Sequence, residues 1–161
     1  MTRTAADPAL ERPGLSWAGT GYLDSNDGDE PLEAGFRRWD WSRTPLAGGE
    51  TAILYDTEPR VGPARGIAIR VGAGGGVARF EAPGVVALPR SRWGVARFTR
   101  AEEGDARVAR GLVDAPFYAR SVIGTRLLGE DVEAVHESVD LDRFRAPWTQ
   151  AMLPFRMPRR G

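Results

Sequence analysis

The chain has 161 residues, 42% of them apolar and 27% charged, with 22 acidic and 22 basic side chains. That length predicts one domain with a buried core, and that charge balance carries no nucleic-acid footprint. There is no Cys, which removes disulfides, thiolate nucleophiles and Cys-ligated zinc, and every basic residue is Arg, which removes Schiff-base chemistry and Walker-type phosphate loops.

No stretch approaches the ~18 apolar residues of a membrane span, and no basic segment leads into an apolar run. The expectation is therefore a cytoplasmic chain without a signal peptide. Residues 1–14 read as a flexible lead-in to one β domain over 15–161. Strand-like runs follow in order: Leu15–Asp24, Phe36–Arg43, Thr51–Tyr55, Gly66–Val71, Val77–Glu81, Trp93–Thr99, Ala106–Leu112, Phe117–Leu128 and Asp131–Leu141. LAGG, TEPRVGP, GAGGG, APGV, EEGD and DAP read as turns between them. LGED at 128–131 predicts a hairpin. GAGGG at 72–76 has no GK[ST] ending and no helix pattern behind it, so it is a loop and not a nucleotide cradle. About nine short strands joined by turns predict an antiparallel all-β barrel or sandwich. Helix is expected only in the N-terminal tail or over Pro147–Leu153.

Strand alternation sorts side chains by face. In the first run Trp17, Gly19, Gly21 and Leu23 point one way, and Ala18, Thr20, Tyr22 and Asp24 the other. In FRRWDWSR, Arg37, Trp39, Trp41 and Arg43 share a face, with Phe36, Arg38, Asp40 and Ser42 opposite. The Trp pair either lines a cavity or is half-buried packing with Arg stems at its rim.

GYLDSNDGDEPLE at 21–33 concentrates five acids in one segment. As a calcium loop begun at Asp24 it fails, because Gly28, Asp29 and Gly35 stand at positions that need a ligand, Gly and Glu. Asp27, Asp29 and Glu30 read as a solvated turn. Asp24 instead closes a strand beside Tyr22. On an apolar wall its carboxyl would be held protonated near neutral pH, as a general acid must be. His136, the only His, rules out most triads and transition-metal sites; on a late strand it reads as a hydrogen-bonded core or rim residue. The tail PWTQAMLPFRMPRR mixes aromatics, Met, Leu and Arg without acids, and either caps the β domain or rests on a membrane surface.

The block WAGTGYLDSNDGDEPLEAGFRRWDWSR closely resembles the signature of carotenoid 1,2-hydratases, also called hydroxyneurosporene synthases. TAILYD, DAPFYARSVIGTRLLGE, AVHESVDLDRF and APWTQAMLPFRMPR are similar too, so the resemblance runs from Trp17 to Arg159. It implies a lipocalin-like β fold and water addition across the terminal C1–C2 double bond of acyclic carotenoids such as neurosporene or lycopene, with no cofactor. It also implies that Asp24 donates the proton beside Tyr22. Trp17, Trp39 and Trp41 are then the substrate-binding aromatics. Family members are longer and carry an earlier β lobe, so the match is to their C-terminal part. That implies an N-terminal lobe or a homo-oligomer as partner, with a split enzyme or a non-catalytic carotenoid-binding lobe as alternatives. A C40 polyene is longer than a small barrel is wide, so peripheral contact with the inner membrane is expected, through Trp148, Met152, Phe155 and the terminal Arg residues.

Overall fold

The computed structural model describes residues 27–155 throughout and, ahead of them, the backbone of four short strands. These are β1 (Arg3–Ala5), β2 (Leu10–Arg12), β3 (Leu15–Trp17) and β4 (Gly21–Leu23). β1 pairs antiparallel with β4, and β2 with β3. The single run expected over Leu15–Asp24 is thus two strands, and β1 and β2 fall within the stretch read as a lead-in.

Nine strands follow: β5 (Phe36–Pro45), β6 (Thr51–Pro59), β7 (Arg65–Val71), β8 (Val77–Arg79), β9 (Val85–Leu88), β10 (Arg97–Arg100), β11 (Ala106–Ala115), β12 (Tyr118–Leu127) and β13 (Glu130–Asp140). Seven form one sheet in the order β11-β12-β13-β5-β6-β7-β8, and every neighbouring pair is antiparallel. The antiparallel all-β expectation holds. Among the described residues the sheet is not closed: β8 and β11 are its edges. β8 is only three residues long, and β11 carries register shifts between Val108 and Arg110 and between Gly111 and Val113, devices that discourage edge pairing.

β9 and β10 form a separate hairpin that lies over one face of this sheet, with β10 against β5 and β13 and β9 against β11. β9 starts where the Pro and Gly of APGV predict a turn; it becomes a strand only by pairing with β10. The Trp93–Thr99 run starts late, at Arg97, because Ser91–Val95 closes a turn through Gly94 at φ 82°.

The LGED hairpin is as expected. Leu128 and Gly129 both take positive φ, 53° and 79°, which is the two-residue type I′ connection whose twist matches the flanking strands. The helix expected near the C-terminus appears as Pro147–Met152, with Pro at its first turn. Two short helices were not expected: α1 (Leu32–Gly35) and α2 (Leu141–Arg145), the latter capped by the Asp140 carboxylate accepting from Arg143 N–H at 2.9 Å. The C-terminal one is α3. Asp27, Asp29 and Glu30 are exposed, in keeping with a solvated turn.

The core lies on the face under the hairpin. Leu46, Ala52, Leu54, Ala68 and Leu127 pack at one end, and Leu88 of the hairpin packs on Ile123 and Ala134. Each fully buried Leu or Ile there contributes roughly 1.5–3 kcal/mol.

Candidate active site: a polar lock and an aromatic face

β5 runs through the middle of the sheet and exposes two different chemistries. Asp40, Ser42 and Thr44 are buried on the hairpin side, while Trp39, Trp41 and Arg43 are half-buried on the other. The partition by alternation is the expected one. Alternation does not say which side is deeper: the polar residues lie inside, and the indoles are half-buried on the more open face.

Asp40 is 6% exposed. Its Oδ1 accepts from Phe98 N–H of β10 at 3.1 Å and from the Ser138 hydroxyl of β13 at 2.5 Å. Phe98 is held from its other side too, because its carbonyl lies 2.8 Å from His136 Nε2. A carbonyl only accepts, so Nε2 carries the proton and Nδ1, buried with no hydrogen-bond partner, does not. Burial pushes Asp40 up to about 6, against the pull of Ser138, Phe98 N–H and Arg38. Burial likewise lowers His136 to about 4, so the imidazole is neutral.

Further bonds tie the hairpin down. Arg100 grips Asp56 with Nε and Nη2 at 2.8–3.0 Å, and Arg97 donates to Ser121 Oγ at 2.9 Å and to the Pro89 carbonyl at 2.6 Å. Beside Asp40 is a cavity of about 180 Å³ whose walls include Arg38, Asp56, Arg65, Phe98 and Arg100. Three guanidiniums make it a poor seat for a hydrocarbon, which would strip water from charges and return no hydrogen bonds. Asp40 is the acid that sequence reasoning passed over. Its role comes from Phe98, 58 residues away, and the only local signal was an Asp alternating with two Trp.

The opposite face is aromatic and aliphatic. Trp39 and Tyr55 approach to 6.3 Å between ring centres at a tilted 59°. Trp41 pairs across the strands with Tyr55, and Arg43 with Ile53, while Ile67 of β7 is directly opposite Tyr55. Trp39 and Trp41 therefore sit together on one broad half-buried surface. Trp17 and Tyr22 fall in β3 and β4, where only the backbone is described; Tyr22 pairs with Thr4. Asp24 lies outside the described residues. Among the described residues no cluster of three or more His, Asp or Glu could hold a metal ion.

No solved structure matches the chain. Three curated relatives are named acyclic carotenoid 1,2-hydratase. The one from Thiocapsa roseopersicina is 52% identical over 154 residues, 94% of this chain and 38% of its own. That from Rubrivivax gelatinosus is 45% identical over 153 residues, again 94% and 38%. That from Cereibacter sphaeroides is 41% identical over 148 residues, 91% of this chain and 53% of its own. The chain thus spans about two-fifths to half the length of these relatives. The carotenoid hydratase CrtC family matches residues 3–161, and the chain belongs to that family.

Proposed function

We propose that this chain carries the proton-donating part of an acyclic carotenoid 1,2-hydratase. The observation that carries this reading is family membership across nearly the whole chain, including the segment with Tyr22 and Asp24. The reaction is one addition with no redox change. The Asp24 carboxyl gives its proton to C2 of the terminal alkene, leaving a tertiary cation at C1. Water attacks C1 through oxygen, and the oxonium proton returns to the Asp24 carboxylate. The balance needs no cofactor.

The hard step is protonation of a very weak base, which requires a neutral acid in a dry site. Aromatic faces then stabilise the cation without trapping it, at up to ~2 kcal/mol each when desolvated. Trp39 and Trp41 are assigned to that wall, with Trp17 completing it and Tyr22 holding the acid or the water. The half-buried surface around Trp39, Tyr55 and Ile67 suits one end of a polyene better than the charged cavity beside Asp40 does. The polyene's length places the rest of it in a lipid phase, so the protein works in peripheral contact with the inner membrane.

Because the relatives are longer, a second reading has the chain bind the carotenoid and turn it over only with the remaining part of such a polypeptide. Incubation with lycopene or neurosporene, with and without that part, separates the two. Product carrying a 1-hydroxy group from the chain alone supports the first reading. Product only after the addition supports the second, and none in either case overturns both. Replacing Trp39 and Trp41 with Ala is expected to lower kcat at least tenfold by removing the aromatic wall.

A further inference from the structure

α3 is built inside out. Of its six residues only Thr149 is buried, at 0% exposure, while Trp148 is 44% and Met152 37% exposed. The turn that follows adds Leu153 at 44% and Phe155 at 78%. A helix packed on its own domain hides its apolar residues and shows its polar ones; here the order is reversed. Glu58, Asp140 and Asp142 line the cavity beside Trp148, with Asp142 paired to Arg37 and Arg60, and beyond Asp142 the charged residues of the sequence are basic only. From Arg143 to Gly161 the sequence holds Arg143, Arg145, Arg156, Arg159 and Arg160 and no acid, in a chain whose net charge is zero. The Arg143 guanidinium sits 5.5 Å from the Trp148 ring, so cation and indole already form one surface.

We propose that α3 and the turn to Phe155 form the docking surface for an anionic lipid bilayer. The proposal rests on the reading that the protein works at a membrane, and it names the surface and the lipid class. Trp belongs at the headgroup boundary, Met152, Leu153 and Phe155 enter the acyl region, and Arg145, with the Arg143 guanidinium on the Trp148 ring, meets lipid phosphates. The charge speaks against a second copy as the occupant, because a symmetric contact would set Arg against Arg. Thr149 stays inside, so the exposed residues can be changed without touching it.

The test is co-sedimentation of the full chain with phosphatidylcholine vesicles, with and without phosphatidylglycerol, for the wild type and for the double variant Trp148→Ser, Phe155→Ser. Unchanged circular dichroism and melting confirm that the variant is folded. The expected result is binding to the phosphatidylglycerol vesicles that weakens at high salt, and about tenfold or greater weakening in the variant. Binding that the variant retains in full overturns this surface while leaving the membrane reading intact. No binding to either vesicle overturns both. Equal binding to both vesicles overturns the anionic part, and a wild-type dimer that the variant abolishes, with no vesicle binding, assigns the surface to a second copy instead.

Discussion

Asp40 and His136 grip the same residue, Phe98, from two strands and titrate in opposite senses. His136 Nε2 lies 4.0 Å from Asp40 Oδ1; Arg38 and Asp56 also act on Asp40, and Arg97 on His136. Asp40 is raised from 3.8 to about 6, so its contribution to stability is complete below 3.8 and is lost as pH rises through 6. His136 is lowered from 6.5 to about 4, so its contribution is complete above 6.5 and is lost as pH falls through 4. Each shift corresponds to roughly 3 kcal/mol, and between about pH 4 and 6 the two slopes offset one another. Removing either group should expose the other. Asp40→Asn, compared with wild type by urea unfolding, should gain about 3 kcal/mol more at pH 7 than at pH 4. His136→Asn should show the reverse. Parallel pH profiles for all three proteins would mean that neither group is shifted by burial.

At the scale of elements, the β9–β10 hairpin is held to the sheet by polar bonds more than by apolar packing. Leu88 on Ile123 is its clearest apolar contact, whereas Asp40, Asp56, Ser121 and His136 all reach it. Breaking the Arg100–Asp56 fork with Arg100→Ala should loosen the hairpin by about 1–2 kcal/mol, because the pair is only partly exposed and is bonded at two points. Hydrogen exchange of the β9 and β10 amides should then speed up about tenfold or more, while β12 and β13 stay protected. Equal acceleration in all four would show that the hairpin unfolds only with the sheet. The strands of the main sheet were legible because each carries its own alternation between strong turn signals, and the hairpin at Leu128–Gly129 could be placed from LGED, though not its type I′ geometry. β9 was not, because a four-residue run behind APGV gains its identity from β10. α1 and α2 were not, because four or five residues carry no helical period; α2 is fixed by the Asp140 cap, and α1 has no side-chain cap at all. The faces of β5 were legible but their depth was not. Alternation separates Trp39 and Trp41 from Asp40, and only the long-range arrival of Phe98 makes the polar side the buried one.

For the whole molecule, the family assignment was readable from the GYLDSNDGDEPLE block and the C-terminal run, because both are long and unbroken. The described structure adds three surfaces: an aromatic face around Trp39 and Tyr55, a polar lock around Asp40, and an apolar, Arg-flanked tip at α3. The proposal uses the first for the alkene end and the third for the membrane that supplies it, and keeps the second as structure. That division sets Asp24, the proton donor of the proposal, apart from Asp40, whose carboxyl burial raises to about 6. The most direct measurement is hydration of lycopene in D₂O by wild type, Asp24→Asn and Asp40→Asn, with the remaining part of the longer polypeptide added if turnover requires it. The account predicts a 1-hydroxy product with one deuterium at C2 from wild type and from Asp40→Asn, and loss of product from Asp24→Asn. Full turnover by Asp24→Asn, or loss confined to a folded Asp40→Asn, would contradict it.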